Sequence, residues 1–272
     1  MKREDVKVCV MRTGGTNCDK ETKGVFEYLK TDAKVVHSNQ FIRGRDNLDN
    51  YDVLVFPGGF SYGDYIRAAA IWASNLKAKI GDQINEFYKA EKPMVGICNG
   101  FQVLVELGVL PAFNGISKYP EAVLATNDST RYECRWVFLR NENRGNAISA
   151  SNLGKKEVIS IPIGHGEGKF LLPMKEKEKL LRKLEDNDQV VFRYCKPNGD
   201  SANGEFPYNP NGSLSDIAGI CDPTGTVLGM MPHPERHSFG WQNREWTRNY
   251  MKEEGDGMKI FRSVVEYVAK KF

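Results

Sequence analysis

Cys98 lies within Val95-Gly96-Ile97-Cys98-Asn99-Gly100-Phe101-Gln102, where a short apolar run enters a Gly-x-Cys-x-Gly turn and leaves as a helical pattern. This is the thiol counterpart of the nucleophile elbow, in which a strained strand-to-helix turn lifts the reactive atom to the top of a sheet. Small residues on both sides let the backbone pass close to itself. At the N-terminus of the following helix the dipole favours the thiolate, the nucleophilic form. A lone cysteine is usually a structural one; the strand–turn–helix context points instead to a nucleophile.

A thiol nucleophile needs a base and a group that orients the base. The chain has four histidines, at 37, 165, 233 and 237. His233 follows a strand-like run, 226–231, and precedes Pro234-Glu235. In extended backbone, residues two apart project to the same side, which places Glu235 beside the His233 ring. Pro234 fixes its own φ and biases His233 toward extended geometry. The expected triad is therefore Cys98, His233 and Glu235, as nucleophile, base and orienter. Outside this context a His-Pro-Glu reads as a solvated loop. An oxyanion hole needs amides free of a ladder: that of Asn99, just after the nucleophile, and that of Gly59 in Pro57-Gly58-Gly59-Phe60.

Cys18 precedes a helix and is a rival nucleophile on dipole grounds, but no histidine lies in a comparable motif near it. His233 and His237 have the spacing of helical zinc ligands, which the extended reading of His233 contradicts, so no metal site is expected. The glycine-rich stretch 58–67 lacks Gly-Lys-Ser/Thr and is no P-loop.

These residues have to be positioned by alternating strands and helices. Val6, Val8 and Val10 mark a first strand, ending in Thr13-Gly14-Gly15-Thr16-Asn17. Asp19 reads as the N-cap of a helix reaching about Lys30, with Val25, Phe26 and Leu29 on one face. Residues 33–37, 52–56 and 93–98 read as further strands, with a helix over 80–91. That alternation predicts a parallel sheet with helices on both faces. In the second half, 132–139 and 158–163 read as antiparallel additions, 189–194, 217–221 and 226–231 as strands, and 173–184 as a surface helix. Residues 257–272 form an amphipathic helix with Ile260, Phe261, Val264, Val265 and Val268 inward. The expected fold is α/β: a single three-layer domain over residues 1–272, with a mostly parallel central sheet, antiparallel additions and a cysteine nucleophile elbow.

Composition agrees with a globular protein. The chain has 272 residues, 40% apolar and 27% charged. A formal charge of +3 is too mild to argue for nucleic acid or an anionic membrane. The N-terminal residues carry charge but no apolar segment of the length a secretory signal needs. The longest apolar run, Ala68 to Ala73, falls far short of the ~20 residues of a membrane span. Six scattered cysteines without a Cys-x-x-Cys suit free thiols in a reducing cytosol, so a cytoplasmic protein is expected.

With Pro232-His233-Pro234-Glu235, the elbow resembles the class I (triad) glutamine amidotransferases. Longer stretches narrow the likeness: Gly15-Thr16-Asn17-Cys18-Asp19 with Arg12, residues 58–67, Ile163-Gly164-His165-Gly166-Glu167-Gly168-Lys169-Phe170, and Asn209-Pro210-Asn211-Gly212-Ser213 followed by residues 229–236. The ordered set is similar to the glutaminase subunits of a purine-biosynthetic amidotransferase. The resemblance implies that Cys98 attacks the glutamine amide, His233 shuttles the proton to the leaving ammonia, and a γ-glutamyl thioester is then hydrolysed. It implies that Gln102 holds the substrate and that the backbone around His165, Gly166 and Glu167 contacts its α-groups. No cofactor is implied in this chain. The partners would be a large synthetase subunit, which uses ATP and Mg to convert formylglycinamide ribonucleotide to its amidine, and a small bridging subunit.

Two departures from the family pattern stand out. Residues 12–15 read Arg-Thr-Gly-Gly where the family often has a proline. Residues 237–256 read as an insertion rich in Trp and Arg, residue types enriched at binding hot spots, with a synthetase contact or a mobile loop as the two readings. Two other functions fit the triad alone: a free-standing cysteine hydrolase on a related scaffold, and a silent regulatory subunit.

Overall fold

In the computed structural model, which describes residues 1–248 and 252–272, the Val-rich run at the start forms β1 (Lys7–Arg12). Next come α1 (Asp19–Tyr28), β2 (Asp32–His37), α2 (Asn39–Ile42) and β3 (Val53–Phe56). They are followed by α3 (Ala70–Lys89), β4 (Met94–Ile97) and α4 (Asn99–Glu106). The second half holds β5 (Val123–Ala125), β6 (Glu133–Asn141), β7 (Val158–His165), β8 (Lys169–Leu171), α5 (Lys177–Asp186), β9 (Val190–Cys195), β10 (Ile217–Cys221), β11 (Val227–Met230) and α6 (Met258–Lys271).

One nine-stranded sheet runs β2-β1-β3-β4-β11-β10-β9-β6-β7. The strands from β2 to β11 are mutually parallel, and β10, β9, β6 and β7 are added antiparallel. The inner parallel strands β3, β4 and β11 are buried along their length, which is why they read as continuous apolar runs rather than alternations. Helices α1 and α6 meet through Phe26 and Phe261, edge to face at 5.2 Å. Trp72 of α3 packs on Phe56 of β3 with ring centroids 5.6 Å apart. Each such fully buried aromatic contributes roughly 1.5–3 kcal/mol.

Three local readings are corrected. Helix α3 starts at Ala70, well before residue 80, because Trp72, Ala73 and Leu76 extend the buried face of Ile80, Ile84 and Phe87. A kink at Ile80 (φ −136°) interrupts the period there. Cys18, not Asp19, occupies the N-cap position of α1, and the Asp19 carboxylate pairs with Arg12 at 3.3 Å. The small β5–β8 sheet was not expected; three-residue strands carry too little pattern. Of the segment 237–256, residues 249–251 lie outside the described residues. Elsewhere this segment packs back on the body, with Phe239 edge to face on Tyr28 at 5.2 Å and the Arg244 guanidinium 5.7 Å from the Phe138 ring.

Candidate active site

The strand order 2-1-3-4 reverses direction between β1 and β3, and open α/β sheets bind ligands at the carboxyl ends of strands near such a point. The loops after β1, β3 and β4 meet there. Asn17 and Cys18 donate their amides to Gly58 O, and Phe60 donates to Gly15 O at 2.9 Å. The turn without proline is closed by Thr13 and Thr16, each accepting an amide from the other residue.

Cys98 joins β4 to α4 with φ 52° and ψ −107°, a conformation that costs a non-glycine residue of order 1–3 kcal/mol and persists only where packing enforces it. Gly100 shows what enforces it: a Cβ there would stand 1.8 Å from Phe56 O. Gly100→Ala is therefore expected to force β3 and α4 apart and cost about 1–3 kcal/mol or more, read as a lowered thermal midpoint. The Asn99 side chain ties the elbow to the neighbouring loop by accepting the Ser61 amide at 3.2 Å. Asn99 is also the first residue of α4, where an amide has no intrahelical acceptor, and Gly59 stands at the end of β3, bridged to Thr16. The Cys98 thiol is 5% exposed and donates to Gly164 O at 3.5 Å.

His233 leaves β11 through Pro232, anchored by its amide on Pro162 O at 2.8 Å. The extended geometry expected for 233–235 is not what joins base to carboxylate. Residues 234–237 wind into a 3-10 turn that folds Glu235 back under the ring, and His233 Nδ1 donates to Glu235 Oε1 at 2.6 Å. Both side chains are buried. Burial pushes His233 down, but Glu235, Cys98 and Cys18 together outweigh it and hold the ring well above its ordinary pKa. With Nδ1 committed, Nε2 has no hydrogen-bond partner among the described residues, and Cys98 acts on the ring electrostatically. Catalytic hydrogen bonds commonly tighten only with substrate bound. Glu235→Gln keeps an acceptor for Nδ1 but removes the charge. Glutamine turnover is expected to fall less than in His233→Ala, and the acid limb of its pH profile, set by deprotonation of the base, to move to lower pH.

The rival thiol, Cys18, lies on the wrong side of the base. Its Sγ is 3.9 Å from Nδ1, the nitrogen already bonded to Glu235, and burial pushes the thiol up to about 11. His237 is held elsewhere, by Ser160 O at 2.6 Å and against the Trp136 ring.

Beyond Cys98, Gln102 is buried, receives the Asn99 side-chain amide at 3.0 Å and donates to Glu167 O at 2.5 Å. The His165 ring is buried, bonded through Nδ1 to Asn127 Oδ1 at 3.1 Å, and held neutral by burial, with a pKa pushed down to about 3, while His165 O accepts from the Asn127 side-chain amide at 2.8 Å. Gly166 O is taken by the Asn127 amide.

Asp64 was missed by sequence reasoning. It stands in left-handed backbone (φ 53°), 3.5 Å from Asn99 Nδ2, and burial plus the nearby Glu167 push its carboxyl up to about 6. The only signal was its place in Gly63-Asp64 within the quoted 58–67 stretch. Because the folded pKa lies above the unfolded 3.8, Asp64 favours the fold fully only below about 4, and that contribution is lost as pH rises through about 6. Asp64→Asn, which tolerates the same backbone, is expected to stabilise by about 1 kcal/mol above pH ~6 after discounting for solvent screening. The gain should fade as melting is repeated toward pH ~4.

Fold and site together define a glutamine amidotransferase of the cysteine-triad class. The model of the CobB/CobQ-like glutamine amidotransferase domain matches residues 5–268. Phosphoribosylformylglycinamidine synthase subunit PurQ of Archaeoglobus fulgidus is 48% identical, over 99% of this chain and all of its own length (100%). The same subunit of Methanococcus maripaludis is 39% identical, with 97% and 98% of the two chains covered. A chain of PurLQS from Thermotoga maritima superposes with a TM-score of 0.73 at 31% identity, covering 97% of this chain and 99% of its own. The chain belongs to the PurQ family of phosphoribosylformylglycinamidine synthase subunits.

Proposed function

We propose that this chain is the glutaminase subunit of a phosphoribosylformylglycinamidine synthase, hydrolysing glutamine to glutamate and passing the ammonia to a synthetase subunit. The observation that carries the proposal is the strained Cys98 elbow facing the buried His233–Glu235 pair, in a chain 48% identical over its length to a PurQ subunit. His233 takes the Cys98 proton at Nε2 as sulfur attacks the side-chain amide carbon. The oxyanion that forms is met by the amides of Gly59 and Asn99, donors typically worth ~10²–10³ each. His233 returns the proton to the departing nitrogen, ammonia leaves, and a γ-glutamyl thioester remains. Water then attacks the thioester, giving up its proton to His233, and glutamate and the free thiol are regenerated.

Gln102 holds the substrate glutamine, and the backbone of His165, Gly166 and Glu167 contacts its α-groups. ATP and Mg act on the partner synthetase, which makes the amidine from formylglycinamide ribonucleotide, and a small third subunit bridges the two. Residues 237–256 meet the synthetase; deleting them should weaken complex formation, and an unchanged complex would end that assignment. The protein works in the cytoplasm, in keeping with its free cysteines; no helix among the described residues is long and apolar enough to cross a membrane.

An electrophilic glutamine analogue tests the nucleophile directly. One adduct on the Cys98 peptide, absent in Cys98→Ala, is expected. Labelling at Cys18 instead would overturn the assignment.

A further inference from the structure

Cys18 is a buried thiol for which the triad mechanism has no use. It lies 215 positions from His233 in sequence, yet one donor atom each from Cys18, His233 and Glu235 fall within 4.8 Å of one another. Arg236 Nη2 donates to Cys18 Sγ at 3.1 Å, while Arg236 Nε is fixed on Glu21 at 2.9 Å. The thiol itself donates to Asn17 Oδ1 at 3.1 Å. Gly58 completes the arrangement: a Cβ there would stand 2.6 Å from His233 Cε1 and 3.0 Å from Cys18 Sγ. The imidazole is thus gripped on the Nδ1 side by a carboxylate and a sulfur, with the backbone of Gly58 against Cε1.

We infer that Cys18 is a positioning residue for the catalytic histidine. Its sulfur, held by Arg236 and Asn17, blocks rotation of the His233 ring away from Glu235 and keeps Nε2 turned toward Cys98. Glu235 alone fixes one nitrogen at a point, about which the ring can still pivot; a second contact on the same side removes that freedom. The sulfur reacts with nothing and remains a thiol throughout. The inference rests on the glutaminase reading given above.

The groups that face His233 are Glu235 and Arg236 on its own turn, Cys98 on the elbow, Cys18 after β1, His165 on β7 and Tyr132 before β6. Glu235, Cys98 and Cys18 raise the ring's pKa, so removing Cys18 lowers it and moves the acid limb of kcat toward lower pH. Loss of orientation costs rate rather than affinity.

The test uses the assembled complex with glutamine and its other substrates, comparing wild type, Cys18→Ala and Cys18→Ser. Cys18→Ala is expected to lower kcat for glutamine hydrolysis about 10- to 100-fold, with KM within about twofold and the acid limb shifted to lower pH. Cys18→Ser, which keeps a polar atom for Arg236, should recover most of the rate and the wild-type profile. Wild-type kcat and profile in both variants would overturn the inference, and so would an equal loss in both or a rise in KM alone. If Cys18→Ala does not fold, Cys18→Ser decides: a near-wild-type rate and limb support the role, and a large loss overturns it. Absence of glutamine turnover in the wild-type complex would instead sink the glutaminase reading itself.

Discussion

Cys98→Ala abolishes synthesis from glutamine and leaves synthesis from added ammonia at the wild-type rate. The two halves separate because sulfur is needed only to break the glutamine amide; free ammonia enters the synthetase reaction after that step. The methyl side chain can form no thioester, so the glutamine-dependent rate should drop to the limit of detection rather than by a moderate factor. Structural damage is a poor alternative explanation, since the unusual backbone at Cys98 is imposed by the approach of α4 to β3 at Gly100 and not by the sulfur. Steady-state amidine formation from each nitrogen source, measured in the reconstituted complex, reads the result. Equal loss with both sources would break the division of labour.

His233→Ala is expected to lower glutamine hydrolysis by ~10²–10⁴, the usual worth of general acid–base catalysis, again sparing the ammonia route. Among the described residues, His233 is the only group placed both to accept the thiol proton and to return it to the leaving nitrogen. Its removal also leaves Glu235, fully buried, without its donor at 2.6 Å. A buried carboxylate left unpaired costs stability, so the variant should also melt at a lower temperature. That second readout separates this variant from Cys98→Ala, which leaves the His233–Glu235 pair in place. A loss of activity below tenfold in the complex would mean that another base serves Cys98.

Much of this was legible in the sequence because its signals are local. The elbow is a continuous run, 95–102, in which strand, glycine turn and helix follow one another, and the base and its carboxylate are two residues apart. The parallel strands announce themselves as β-branched runs because both faces of the sheet are covered. What remained hidden depends on distant contacts or on backbone bending. The 3-10 turn that brings Glu235 under His233 has no period to detect in four residues. The first half of α3 is joined to the second across a kink at Ile80, so no single helical period spans the whole element. The approach of Cys18 to His233 is made by the loops after β1 and β3 closing on each other through Thr16 and Gly59, a pairing that no spacing rule encodes. Asp64 owes its raised pKa first to burial and then to Glu167, more than a hundred positions away.

Glutamate release is the most direct measure of the central claim: glutamine hydrolysis by this chain alone, then with the synthetase and bridging subunits and their nucleotide substrates, for wild type and Cys98→Ala. Turnover that rises on assembly, yields one glutamate per amidine formed and disappears in Cys98→Ala is the predicted result. No turnover of glutamine in any mixture, or turnover indifferent to Cys98, would contradict it and favour the silent-subunit or free-standing hydrolase readings.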